Sequence, residues 1–104
     1  MPFGSFINAF PPALFLLVHL VGFLAGAFFA YRAFNADARL LGWGFALYAV
    51  AEIVYMTYHL DWTVFLFAHT IAEVLDLVAF ILIFVGAVQG AQALARRANI
   101  PARA

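Results

Sequence analysis

Two short polar joints, Asn35-Ala36-Asp37 and Leu60-Asp61-Trp62, divide an otherwise apolar chain into three long hydrophobic stretches. That pattern restricts the fold more than any other feature. Inside hydrocarbon, backbone N–H and C=O groups are satisfied only in helices or closed barrels. A stretch of roughly 20 apolar residues has the length of a membrane-crossing helix. The expected fold is therefore an all-α integral membrane protein, with three transmembrane helices in an up-down-up bundle and a short interfacial N-terminal segment. Spans are expected at about 12–34, 38–59 and 63–88, in a single membrane domain over 1–104, followed by a cytoplasmic tail over about 89–104.

Composition agrees with that class. Hydrophobic residues make up 68% of the chain and charged residues 10%, against about 45–50% and about 25% in soluble domains. With 104 residues, three crossings leave no room for a separate soluble catalytic domain. The chain is not expected to be an enzyme by itself, and no catalytic residue is assigned. Net charge is zero and no large basic cluster occurs, so no nucleic-acid partner is expected. The absence of cysteine excludes disulfides, thiolate-held clusters and covalent c-type haem. The absence of lysine excludes a Schiff base.

Several residues mark boundaries. Phe3, Phe6, Ile7 and Phe10 share one side of a short helical segment suited to a membrane interface. Pro11-Pro12 is a helix-start signal. Met1 to Ser5 carry no positive charge, so the first span is expected to be retained rather than cleaved as a signal. Asn35 or Asp37 is available to cap the second span and Asp61 to cap the third. Trp43 and Trp62 are suited to anchor at the membrane–water boundary. Arg32 and Arg39 flank the first joint, Arg96, Arg97 and Arg103 lie near the C-terminus, and the opposite side has none. By the positive-inside rule the N-terminus and second joint face outward, and the C-terminus is cytoplasmic. The expected location is a bacterial or archaeal inner or plasma membrane.

Candidate chemistry gathers in one layer. His19 stands seven positions after Pro12, Glu52 seven before His59, and His69 seven after Trp62. Each is thus about 10 Å below the outer surface at about 1.5 Å per residue. Tyr48, Glu52, Tyr55 and His59 form one stripe on the second span, and His69, Glu73 and Asp76 form another on the third. Ionisable groups inside a span are costly and usually face a protein interior or a watery cavity.

Three uses of that layer are open. It can be a metal site, with His19, Glu52, His69 and Glu73 as ligands, Tyr55, His59 and Asp76 around them, and Fe, Cu, Zn or Mn as the ion. It can be a haem b site held by His19 and His69, with Gly22 and Gly26 leaving space for the ring. It can also be a set of interhelical hydrogen bonds without a cofactor, each contributing on the order of 0.6 kcal/mol. The first two give a small membrane subunit for electron transfer or metal handling. The last gives a non-catalytic structural subunit. A proton relay through His59, His69, Glu73 and Asp76 is disfavoured, because only apolar residues follow from Leu77 to Val88.

A small hydrophobic three-span chain with mid-span histidines resembles the accessory subunits of respiratory or photosynthetic complexes. The resemblance implies partners in the bilayer. Shielding five polar groups from lipid also favours association with itself or with other membrane subunits, through Gly22, Gly26, Ala46, Ala49 and Ala51.

Overall fold

A computed structural model describes the chain from residue 3 to residue 99. A short 3-10 turn, Ser5–Ala9, leads into three long helices: α1 Pro12–Asn35, α2 Arg39–His59 and α3 Phe65–Asn99. No strand occurs among the described residues. All three helices are long and apolar enough to cross a membrane. Pro12 occupies the first turn of α1, where its missing N–H is no loss. α1 and α2 each cover the residues of one expected span, 12–34 and 38–59, to within one residue at either end, as helices. The third helix runs further, about 52 Å for its 35 residues at about 1.5 Å each. Residues 100–104, including Arg103 and the end of the expected tail, lie outside the described residues.

Both aspartates at the joints act differently from expectation. They close the preceding helix instead of capping the next one. Among the described residues Asp37 and Asp61 are the two non-glycine residues with positive φ, 59° and 62°. At the first joint Ala38 N donates to Ala33 O and Asp37 N to Phe34 O. At the second, Trp62 N donates to Thr57 O and Asp61 N to Tyr58 O. Each is the paired hydrogen-bond pattern that ends a helix around a left-handed residue. Aspartate tolerates that backbone because its short polar side chain can bond locally. Ala38 is then the residue preceding α2, and it makes no side-chain cap. Thr57 and Thr63, 2.9 Å apart through their hydroxyls, brace the second joint.

Packing places α2 in the middle. It lies against α1 on one side and α3 on the other, while α1 and α3 make no backbone approach to each other within 8 Å. The expected bundle is in this sense open, with a groove between α1 and α3 that has α2 as its floor. Small residues allow the close contacts. Gly26 and Ala30 of α1, and Gly42, Gly44 and Ala49 of α2, are buried. Ala68, Ala72 and Ala79 do the same on α3. The contacts run in opposite chain directions: Gly22 meets Tyr48 and Glu52, whereas Gly42 meets Phe34. On the other face Gly44 meets Ala79 and Ile83, and Gly86 meets Leu41.

This arrangement corrects the expected use of the small residues. Gly22, Gly26 and Ala49 form the α1–α2 seam within one chain, and Ala51 is fully buried, so these residues are not free to contact a second subunit. Among the described residues no large side chain is fully buried, and many leucines, valines and phenylalanines point outward. In water such a surface would be an aggregation liability; it matches a lipid surrounding.

Candidate functional site

The site is built around α2, whose central position lets one stripe of side chains serve both neighbours. Glu52 is the buried carboxylate, 8% exposed. Its Oε2 lies 2.6 Å from His19 Nδ1 on α1, a charge-assisted contact when the imidazole is protonated. One turn nearer the joint, Tyr55 donates its hydroxyl to Glu73 Oε1 on α3 at 2.5 Å. The two bonds tie α2 to α1 and to α3 at nearly the same level. Glycine at position 22 is required by the first tie, because a Cβ there would sit 2.9 Å from Glu52 Cδ and 3.0 Å from Tyr48 Oη.

Aromatic rings connect the rest. His59 stacks on Phe15 and on His19, each with centroids 5.3 Å apart. The other face of the cluster continues from His19 to Tyr55 at 4.9 Å and from Tyr55 to His69 at 6.4 Å. His69 in turn stacks on Phe65 at 5.0 Å. Among these rings lies a partly open pocket of about 180 Å³ between α1 and α3, and all three histidines line it with Tyr55 and Phe65.

Sequence spacing placed His19, Glu52 and His69 at one depth with His59 at the outer rim, and in the structure Tyr55 links them, its ring on His19 and 6.4 Å from His69, while His59 stacks on His19. The structure does not gather His19, Glu52, His69 and Glu73 into one cluster. Of the four, only His19 and Glu52 pair with each other; Glu73 bonds Tyr55 instead, and His69 touches aromatic rings. Among the described residues no group of three or more histidines, aspartates or glutamates is close enough to hold a metal ion. Asp76, two turns deeper than His69, has a buried Oδ1 without a hydrogen-bond partner. The space beside Gly22 and Gly26 is taken by Glu52 and Tyr48, so that stripe serves helix approach.

No protein-family model, curated protein or solved structure matches the chain. The site therefore rests on its own geometry. Phe15 and Phe65, the two outer rings of the stack, were not singled out from the sequence. The signal was present, since each stands four residues before a histidine and so on the same helix face.

Proposed function

We propose that the protein is a three-span membrane subunit without catalytic activity of its own, inserted up-down-up with its N-terminus outside and its C-terminus cytoplasmic. Its polar layer ties the helices together, and part of its lateral surface is covered by another membrane subunit. The single observation behind this is the state of Glu73. It is exposed on the open side of α3 although it lies within the span, where one tyrosine hydroxyl is its partner. A charged group facing lipid costs roughly 2.5–3.5 kcal/mol even on the lenient insertion scale. No lysine or arginine of this chain lies at that depth to offset it. A neighbouring protein over the groove between α1 and α3 removes that cost. Crosslinking in native membranes tests this: a band above the monomer is expected, and a monomer alone would overturn the subunit reading.

A second reading keeps a cofactor in the same layer, for electron transfer or metal handling. His19 favours it, because a metal-bound imidazole commonly has its other ring nitrogen held by a carboxylate, as Glu52 holds Nδ1 here. The pocket that His59 and His69 line is lined by His19 as well. Its volume of about 180 Å³ is below the roughly 300–1,000 Å³ of organic ligand sites. A hydrated transition-metal ion suits that space better than haem b. Metal coordination requires His69 to turn from Phe65, since the present side-chain positions form no ligand set. Elemental analysis with an absorption spectrum of gently purified protein decides between the readings. Stoichiometric Fe, Cu, Zn or Mn that His69→Ala removes would establish the second.

A further inference from the structure

At the far end of the molecule from the polar layer, α3 outruns its neighbours. Gly86 packs against Leu41 in the first turns of α2, and the turns of α3 beyond it rise past the joint between α1 and α2. A groove with a volume of about 850 Å³ opens there, between that joint and the last turns of α3. Its wall is mixed. Leu40, Leu41 and Leu94 supply apolar surface, while Arg39 and Arg97 bring guanidinium groups from two different helices. Gly90 leaves its part of the wall open, with nothing within 4 Å of where a Cβ would stand.

Among the described residues neither arginine has an acidic partner. Among the described residues the one ion pair is His19–Glu52, and Asp37, which also lines the groove, makes no ion pair with either. Their spacing is informative. Leu41 is level with Gly86, so Arg39 is level with Val88, two residues further along the antiparallel partner. Arg97 stands nine residues beyond Val88, about 14 Å at about 1.5 Å per residue. Two arginines rooted at different levels, on long stems beside an apolar wall, suit two anionic groups on one amphipathic molecule better than a single small anion.

We propose that this groove binds an anionic phospholipid carrying two phosphate groups, one paired with Arg39 and the other with Arg97, its acyl chains running inward along Leu40 and Leu41. Guanidinium groups bind phosphate through paired, directional hydrogen bonds, and basic pockets between membrane helices on the cytoplasmic side suit such headgroups. The proposal rests on the reading that the helices span a bilayer, which sets the groove at headgroup level. Arg96, the immediate neighbour of Arg97, does not line the groove and serves as the internal control.

The test uses the full chain purified in mild detergent, with its thermal unfolding midpoint followed as cardiolipin, phosphatidylglycerol or phosphatidylcholine is added at equal phosphate. Cardiolipin is expected to raise the midpoint most and phosphatidylcholine not at all. Arg39→Gln and Arg97→Gln should each weaken the apparent cardiolipin affinity about tenfold or more, with Arg96→Gln near wild type and all three unchanged without lipid. An equal loss with Arg96→Gln, or an equal response to phosphatidylglycerol, would overturn the two-phosphate site. Equal competition by soluble glycerophosphate would show that the lipid is not the ligand. Alkaline extraction of the same membranes reports separately on spanning: release of the protein defeats that reading, whereas a retained protein indifferent to cardiolipin defeats the site alone.

Discussion

Glu52 Oε2 meets His19 Nδ1 at 2.6 Å directly beside Gly22, whose missing side chain makes the approach possible. A methyl group at position 22 would press on the carboxylate carbon and on the Tyr48 hydroxyl. Gly22→Ala and His19→Ala therefore attack one interaction from two sides. Each is expected to lower stability by about 1–3 kcal/mol, the range for leaving a buried polar group unpaired. Because the two share a partner, the double variant should lose clearly less than the sum. Unfolding midpoints of the four proteins in one detergent give the coupling; strict additivity would mean that Gly22 does not act through the His19–Glu52 contact.

Tyr55 and Glu73 give a second, more exposed tie. Tyr55→Phe keeps the ring stack with His19 and removes the hydroxyl that donates to Glu73. A loss of about 1 kcal/mol is expected. Glu73→Gln retains an acceptor without the charge, so it should be close to neutral for the isolated chain. Under the subunit reading the same variant weakens association in membranes, and the crosslinked band should diminish while the unfolding midpoint stays put. A band unchanged by Glu73→Gln would detach this residue from the interface.

Asp76 carries the opposite expectation. Its Oδ1 is buried and without a hydrogen-bond partner, and an unsatisfied polar atom is a cost rather than a support. Asp76→Asn, with a side chain of the same shape and no charge, is expected to be neutral or to raise stability by up to about 1 kcal/mol. Thermal unfolding of the purified variant measures this, and a marked loss would show that the carboxylate has a partner.

The sequence made the helices and the depth of the polar layer legible, because hydropathy and a 3.6-residue period are properties of each segment alone. His19, Glu52 and His69 could be set at one level by counting from the ends of their spans. Which of them touch could not be read the same way. Pairing depends on rotation about each helix axis and on α2 taking the middle place, and both follow from contacts between segments. Glu73 bonds Tyr55 rather than joining His69 for that reason. The joints show the same limit at smaller scale: an aspartate between two helices suits the start of the next helix as well as the end of the last. Backbone hydrogen bonds from Ala38 and Trp62 decide in favour of the last.

Those two aspartates permit a clean test of backbone strain. At φ of 59° and 62°, Asp37 and Asp61 occupy a region that costs an L-residue roughly 1–2 kcal/mol and glycine almost nothing. Asp37→Gly and Asp61→Gly are expected to hold or raise stability. Asp61→Val should lower it, since a β-branched side chain fits that backbone worst. If Asp61→Gly instead destabilised the protein by more than its added chain freedom explains, the carboxylate would have to act beyond the turn.

Gly44 and Gly90 are both helical glycines, yet replacing them by alanine should act in opposite directions. A Cβ at Gly44 would lie 2.6 Å from Ile83 Cγ1, and 3.1 Å from both Ala79 O and Ile83 N, the last two being backbone atoms of α3 that cannot turn aside. Relief requires the two helices to separate, which loosens the contacts of Ala79 and, further along, the seam that positions Glu73. Overpacking of this kind typically costs about 1–3 kcal/mol. At Gly90 the methyl group meets nothing within 4 Å, so the intrinsic gain of alanine over glycine in a helix, about 1 kcal/mol, is left to act. Gly44→Ala should lower the unfolding midpoint and Gly90→Ala should maintain or raise it, measured without added lipid so that the groove at Arg39 and Arg97 does not contribute. Equal shifts for both would mean that α2 and α3 do not pack through Gly44.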